Sequence, residues 1–359
     1  MKRFSLLLTA IGVSLLLGAC QRQPSLTPQE QITVNALTSH LKTRCVGRYL
    51  IDTPAEAAIF GTIEVQGVSI EAKAMSLDDY HKAMKAHSDE LKRTKSFFGY
   101  QFLYTDTVIE GIPDSRYFVS LGKSDANSDT DRLIEAYRWD RGHLIKMQIL
   151  ASYARDSIAF KDDPSVRNDP AMNNLSAKSQ VVASLLNRAR GRGDDEIPNE
   201  PGVCFQGGWL VGAPWEQEKV HAQFVPSNHN DVSFDLDTNS GIQESDTLLE
   251  RGGDINEMLR QAQGHTVRKG AVDLAGMHAE EWLASGITVL KVPGFLFSLE
   301  ANSKSSNPKA PLTILQLDVG SPNRVLQTSR LEKASLTEGE AVGLWDAVSR
   351  TLRPRPNGF

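Results

Sequence analysis

The alternation of apolar and polar positions divides the chain into amphipathic helices and strands. Helices are predicted where a capping residue precedes apolar residues at helical spacing. Thr27 with Glu30 and Thr337 with Glu340 form the two Thr-x-x-Glu capping boxes, and Ser76 caps a further helix. Helical spacing of apolar residues predicts two more helices, over residues 169–189 and 247–261, although a Gly-Gly pair interrupts the second.

Strands are predicted where apolar residues recur at every second position. The strands of the first half are predicted at residues 61–66, 68–73, 99–109, 115–121, 132–139 and 144–150. The last two are joined through Asp140-Arg141-Gly142, which is typical of a hairpin turn. The strands of the second half are predicted at residues 219–225, 232–237, 288–291, 296–301 and 312–319.

The segment between the two halves differs from both in composition. Residues 191–202 are rich in glycine, proline and acidic residues, which is typical of a linker between domains. The predicted fold class is therefore α+β, with two domains that each have an antiparallel β-sheet packed with helices. The predicted boundaries are residues 1–20 for a leader, 21–26 for a tether, 27–190 for the first domain and 203–356 for the second.

The first twenty residues are typical of an export signal. Lys2 and Arg3 precede an uncharged and almost wholly apolar run over residues 4–17, which is shorter than the roughly 20 residues that a membrane span needs. Leu17-Gly18-Ala19-Cys20 then resembles the lipobox of bacterial lipoproteins, which implies cleavage before Cys20 and acylation of its thiol. The alternative is an ordinary signal peptide with an incidental cysteine. Gln21 at the next position favours the outer membrane, so we expect a periplasmic, lipid-anchored protein.

Composition limits the classes of partner. The full chain has 359 residues and a formal net charge of −5, and loss of the leader removes two basic residues and no acidic one, which makes the charge −7. Nucleic-acid binding needs clustered cations, so a nucleic-acid partner is not expected. Beyond the leader, no second stretch is long and apolar enough to span a membrane.

Two cysteines, Cys45 and Cys204, remain after Cys20. In an oxidising compartment we favour a disulfide between them, which would tie the first half to the second and stabilise the fold by about 5 kcal/mol in the chain-entropy model. Two separate buried thiols are the alternative. The segments that follow the two cysteines are alike in their order of glycine, aromatic, aliphatic and proline residues, so they are either an internal repeat or a chance likeness.

Catalytic and metal-binding motifs are not evident. The sequence has no Gly-x-Ser-x-Gly, no phosphate-binding glycine loop and no His-Glu-x-x-His. His278 lies near Glu280 and Glu281, but a solvated histidine is the simpler interpretation, and His221 and His229 have no matching ligand cluster. The acidic residues at 162–163 and 194–196 lack the spacing of a calcium loop. We therefore predict no catalytic residue, no metal and no cofactor, and we interpret the Trp and Phe residues as core.

Four segments resemble one family of proteins. Cys45-x-Gly47-Arg48-Tyr49-Leu50-Ile51-Asp52-x-Pro54 is similar to the opening motif of immunity proteins that neutralise phospholipase effectors of the type VI secretion system, of the fourth lipase class. The resemblance continues through the segments at residues 202–208, 280–283 and 344–350, and it covers residues 28–354. His278 departs from it, since a glycine is expected there.

The resemblance implies a two-domain periplasmic protein that binds a phospholipase toxin and has no catalytic activity. Its partners would be that toxin and, through the lipid on Cys20, the membrane; the residues that contact the toxin are not predicted. Two other hypotheses remain, a lipoprotein that acts in envelope assembly or lipid binding and a hydrolase without a recognisable motif. Inhibition of a lipase at one-to-one stoichiometry would separate them.

Overall fold

The computed structural model describes residues 25–326 and 330–359. Cys20 and most of the tether that follows it lie outside the described residues. In the part of the chain that is described, no helix has the length and the apolar character that a membrane crossing requires.

From residue 25 onward, the first half contains four helices, one 3-10 turn and nine strands. Its helices are α1 (Pro28–Thr38), α2 (Leu77–Arg93), α3 (Pro164–Arg167) and α4 (Leu175–Arg188), and the 3-10 turn is Pro170–Met172. Its strands are β1 (Leu41–Val46), β2 (Tyr49–Pro54), β3 (Ala58–Val65), β4 (Val68–Ala74), β5 (Leu103–Thr107), β6 (Ser115–Leu121), β7 (Asp131–Asp140), β8 (His143–Ser152) and β9 (Ala189–Gly191).

The second half contains two helices and nine strands among its described residues. Its helices are α5 (Gly252–Gln261) and α6 (Glu338–Ser349). Its strands are β10 (Gly202–Phe205), β11 (Gly208–Val211), β12 (Glu218–Val225), β13 (Val232–Asn239), β14 (His265–Leu274), β15 (Met277–Ile287), β16 (Pro293–Ala301), β17 (Leu312–Val319) and β18 (Arg353–Pro354).

One antiparallel sheet runs through both halves. Its twelve strands have the order β14-β15-β16-β17-β13-β12-β3-β4-β8-β7-β6-β5. The two halves meet where β12 pairs with β3, from Glu218 opposite Val65 to Val225 opposite Ala58. The α+β class with antiparallel sheets is confirmed, and the sheets of the two halves form one continuous surface.

The main core lies on one face of this sheet, which we call the inner face. Helices α1, α4 and α6 and two small sheets cover it. Trp345 of α6 is fully buried, with its ring centroid 6.1 Å from that of Phe297 in β16. On the opposite, outer face, α2 packs on β6 and β7 at one end of the sheet and α5 packs on β15 at the other.

The two cysteines join equivalent hairpins on the inner side. The structure contains a disulfide between Cys45 and Cys204, with Cα atoms 5.7 Å apart. Both hairpins, β1-β2 and β10-β11, turn through a glycine with positive φ, Gly47 at +56° and Gly207 at +71°. Each hairpin is completed by a short strand from the other half, β18 beside β2 and β9 beside β11. The halves are therefore interlocked.

Residues 191–202, the predicted linker, are held by contacts with both halves. Gly191 and Gly202 belong to strands β9 and β10. Arg192 is only 2% exposed, and its guanidinium donates to the carbonyl oxygens of Phe205, Gly208 and Glu196. The segment therefore connects the halves as a packed loop.

The capping boxes and most strands are confirmed, and three local predictions are corrected. The helix predicted over residues 169–189 is interrupted at Asn173, whose side chain accepts from the backbone of Ala154 and Arg155. The predicted strand at residues 288–291 is a turn that closes with Lys291 at φ +65°. The helix predicted over residues 247–261 starts at Gly252. The long hairpin β14-β15 was not predicted.

Candidate partner-binding surface

The outer face forms a trough between α2 and α5. We use this name for the outer face of the five central strands β17, β13, β12, β3 and β4. Every second residue of these strands points into the trough, whereas the residues between them are buried in the main core. Its exposed and half-buried polar residues include Thr62, Glu64, Ser69, Lys219, His221, Asp235, Asp237, Gln316 and Asp318. A hollow of about 450 Å³ lies over the part of the floor around His221 and Asp237.

The floor of the trough carries closely spaced acids around one imidazole. Nδ1 of His221 lies 3.0 Å from Oδ1 of Asp237, and Nε2 lies 3.7 Å from Oδ1 of Asp235. The hydrogen bond to Asp237 is the main cause that raises the pKa of His221, and burial opposes it. Gln223 donates its side-chain amide to Asp235 at 2.8 Å. The floor can therefore accept hydrogen bonds and cations from a partner.

The wall formed by α2 is firmly packed. Tyr80, Met84 and Leu91 of this helix are buried against Phe118 and neighbouring aromatic side chains of β7. A cleft of about 910 Å³ lies between α2 and the loop and strand at residues 108–116.

The charges around this cleft are paired within the protein. Nε2 of His81 lies 3.4 Å from Asp114, and Nζ of Lys92 lies 2.9 Å from Asp106. Arg116 also forms an ion pair with Asp106. The cleft therefore offers a partner few unpaired charges.

The wall formed by α5 is loosely packed and leaves an apolar groove of about 460 Å³. We call this the α5 groove. It lies between α5 and the outer face of β15, β16 and β17, beside the floor of the trough. The lining side chains include Ile255, Met258, Leu259, Trp282, Ala284, Val289, Leu296 and Asp318.

The residues considered for metal binding do not converge. His278 contacts Asp273 at 2.9 Å and both are exposed. Glu281 points to the inner side, where it accepts from Trp345 at 3.0 Å and Arg350 at 2.8 Å. Among the described residues no group of three or more His, Cys, Asp or Glu side chains is arranged to hold a metal ion.

The other polar candidates have structural contacts. Nδ1 of His229 lies 3.3 Å from the hydroxyl of Ser335. Asp163 caps α3 by accepting from Ser165, and Asp195 pairs with Lys42 at 2.5 Å. These contacts account for the side chains without a bound ion.

Sequence reasoning missed the surface residues that distinguish this face. The prediction that the Phe residues belong to the core is wrong for Phe97 and Phe98, which are 85% and 55% exposed in the turn after α2.

The polar residues of the trough are recognisable in the sequence only as the outward positions of alternating strands. Their grouping depends on the pairing of β3 with β12, which the local pattern does not specify.

Two family descriptions match consecutive parts of the chain. The Tle cognate immunity protein 4 N-terminal domain matches residues 42–192, and the C-terminal domain of the same protein family matches residues 196–357. No protein with a curated description matches the chain.

Solved structures with a similar fold share about a fifth of their residues with this chain. The apo immunity protein TplEi of the type VI secretion system from Pseudomonas aeruginosa is 22% identical, with a TM-score of 0.69 over 89% of this chain and 98% of the other. A chain of the Tle4-Tli4 complex is 20% identical, with a TM-score of 0.70 over 89% and 99%. TplEi complexed with the "L" peptide is 21% identical, with a TM-score of 0.64 over 89% and 99%.

Proposed function

The chain belongs to the Tle cognate immunity protein 4 family, whose two domains together match nearly all of its described length, and we propose that it protects its cell by binding a phospholipase effector of the type VI secretion system. It acts as a stoichiometric inhibitor without catalysis of its own. The observation that carries this proposal is the combination of the two family domains with an open trough that both of them build. A chain of similar fold forms part of the Tle4-Tli4 complex, which supports the same mode of action.

The trough suits a protein partner because its polar floor lies next to the apolar α5 groove. A specific protein interface usually combines an apolar centre, which supplies most of the binding energy, with a polar rim that fixes orientation. The α5 groove provides apolar surface, and His221, Asp235 and Asp237 provide polar groups next to it. A partner that contacts both the groove and the floor gains binding energy from each, so neither set of contacts needs to be very strong alone.

Protection requires tight binding. A toxin is present at low concentration, so the complex must have a dissociation constant on the order of nanomolar or below, or about −12 kcal/mol. The continuous sheet helps, because its two halves do not need to be ordered against one another when the partner binds.

We test this proposal by co-expression and by mutation of the floor. A type VI phospholipase effector from the same genome, directed to the periplasm, should kill cells that lack this protein and spare cells that contain it if it is the cognate effector. Asp237→Arg, on the floor of the trough, should weaken the purified complex by about tenfold or more. Asp273→Arg, at the tip of β14-β15, is the matched control and should leave binding unchanged. Killing in both strains together with no complex would refute the proposal and favour a role in envelope assembly.

We further propose that the protein acts from the periplasmic side of the outer membrane, held by acyl chains on Cys20. The lipobox-like segment before this residue supports the proposal, and two or three acyl chains at ~0.8 kcal/mol per buried CH₂ give stable anchoring. Cys20→Ser should move the protein from the membrane fraction to the soluble fraction. If the Cys20→Ser protein were still acylated and still found in the membrane fraction, the proposed anchor on Cys20 would be wrong.

A further inference from the structure

Exposed apolar side chains are concentrated around the α5 groove. Met258 is 60% exposed, Val289 74%, Leu296 45% and Ile287 40%, and all four line the groove. Single exposed apolar residues are ordinary, but a group around one concave surface marks an interaction site.

The groove is open because α5 covers the sheet incompletely. No residue of α5 is buried, its first two residues are Gly252 and Gly253, and Arg251 at its N-cap position provides no side-chain cap. The indole of Trp282 forms the part of the floor nearest α5, where it donates to the hydroxyl of Thr266 at 3.0 Å. Apolar surface beyond this ring is left without a covering element.

The two ends of the groove have different charges. At one end Arg251 forms an ion pair with Glu300, so its cation is already neutralised. At the other end lies Asp318, which is half-buried and directly opposite Leu296 in the register of β16 and β17. Asp318 forms no ion pair with a basic side chain within the described part of the chain, and burial raises its pKa to about 6, with a contribution from the nearby charge of Asp235.

We propose that the α5 groove holds an apolar segment of the phospholipase effector, with a lysine or arginine of that segment paired to Asp318. This inference rests on the proposed function, because it assigns a segment of the effector to the groove beside the floor of the trough. The apolar lining selects apolar side chains, and the carboxylate selects a cation at one end. A phospholipid or fatty acid fits less well, because its phosphate or carboxylate lies next to the acyl chains and would be repelled by Asp318 and Asp235.

The apolar part of the proposal is tested with one charge introduced into the groove. Leu296→Asp should raise the dissociation constant for the same phospholipase effector by about 30-fold or more, since a central apolar contact is replaced by a desolvated charge. Ile32→Asp, at a 62% exposed position of α1 on the other side of the sheet, is the matched control and should change it less than twofold. Unchanged thermal unfolding of both variants shows that the fold is intact.

The charged part is tested by Asp318→Asn, which should weaken binding about tenfold. Asp273→Asn, at an exposed acid far from the groove at the tip of β14-β15, should have no effect. If the wild type binds the effector and the dissociation constant of Leu296→Asp lies within twofold of the wild-type value, the groove is not the binding site, although the proposed function stands. If Asp318→Asn leaves the dissociation constant unchanged, Asp318 does not pair with a cation of the effector.

Two further outcomes are distinguishable. Absence of any complex with the wild-type protein refutes the proposed function and this inference together. A loss of binding to phosphatidylglycerol vesicles in Leu296→Asp, with effector binding retained, would show that the groove takes a lipid and would also overturn the inference.

Discussion

Helices α2 and α5 occupy corresponding places at the two ends of one sheet face, yet one is firmly packed and the other is not. Helix α2 is capped by Ser76 and buries Tyr80, Met84, Ser88 and Leu91. Helix α5 is shorter, begins with two glycines and buries none of its residues. The α2 wall is therefore a firmly packed part of the fold, whereas the α5 wall leaves apolar surface uncovered, which agrees with the proposed binding of the effector there.

The carboxyl groups at the two ends differ in the same way. Beside α2, Glu135 accepts from the hydroxyl of Tyr137 at 2.8 Å, and Nε2 of His87 and Nζ of Lys146 lie 3.0 and 3.3 Å from its carboxylate. Beside α5, Asp318 forms no ion pair with a described residue, and the hydrogen bond from Ser321 lowers its pKa less than burial raises it. The acid beside α2 is therefore paired within the chain, whereas the acid beside α5 is left for the cation that we propose the effector supplies.

The largest expected effect comes from separating the two ends. Residues 27–195 and 200–356 expressed alone should each fail to fold cooperatively, because the cut removes the pairing of β3 with β12, the disulfide and the two exchanged strands. Urea unfolding followed by circular dichroism measures this. A sharp transition in either fragment would show that α2 and α5 belong to domains that fold independently. The difference in packing between the two helices would then reflect a difference in stability between those domains.

A matched pair of methionines tests the difference in packing directly. Met84 of α2 is 8% exposed, whereas Met258 of α5 is 60% exposed. Met84→Ala should lower the free energy of unfolding by about 2–4 kcal/mol, since it leaves a cavity under α2. Met258→Ala should change it by less than about 0.5 kcal/mol, and it should weaken effector binding instead. Equal losses of stability would contradict the contrast.

The two carboxyl groups predict opposite pH effects on stability. Burial alone would raise the pKa of Glu135, but the hydrogen bonds from His87 and Tyr137 and the charge of Lys146 lower it to about 2. Its contribution, about 3 kcal/mol from the shift below the ordinary value, is fully present above about pH 5 and is lost as the pH falls toward 2. Glu135→Gln should remove this pH dependence and destabilise the protein at pH 7.

Asp318 has the opposite sign. Its pKa of about 6 exceeds the ordinary value of 3.8, so its ionised form costs stability above pH 6 and the cost disappears as the pH falls toward 4. Asp318→Asn should therefore stabilise the free protein by about 1–2 kcal/mol at pH 7, and should not at pH 4. Chemical denaturation across this pH range measures both variants. A stabilising Glu135→Gln or a destabilising Asp318→Asn at pH 7 would contradict the assignment of the two ends.

The sequence predicts those parts of the fold that local residues determine. The capping boxes at Thr27 and Thr337 and the hairpin turn near Gly142 place their elements correctly, because caps and turns act over a few residues. Strand β15 was missed because its polar Glu281 lies on a buried face, where only the fold supplies Arg268 and Arg350 as partners.

The trough could not be predicted because it depends on pairing between distant strands. His221 and Thr62 are neighbours across β12 and β3, but nothing in either segment specifies the other as its partner. The α5 groove is equally invisible in the sequence, since an amphipathic pattern does not tell how completely a helix covers the sheet beneath it.

The smallest expected effect concerns the start of α5, where a single methyl group tests why this wall is loose. Gly253 has no neighbour within 4 Å of the position that a Cβ would take, and it is not among the residues with positive φ. Since glycine in a helix costs roughly 0.5–1 kcal/mol relative to alanine, Gly253→Ala should raise the free energy of unfolding by about that amount and slow hydrogen exchange in α5. Gly252→Ala is the matched control and should gain less, because its Cβ would lie 3.4 Å from the ring of Trp282. The new methyl group of Gly253→Ala would contact no atom of the protein, and Gly253 does not line the groove, so effector affinity should stay within twofold. A loss of stability in Gly253→Ala would mean that the first turn of α5 is not helical in the free protein, and the open wall would then reflect a different local structure.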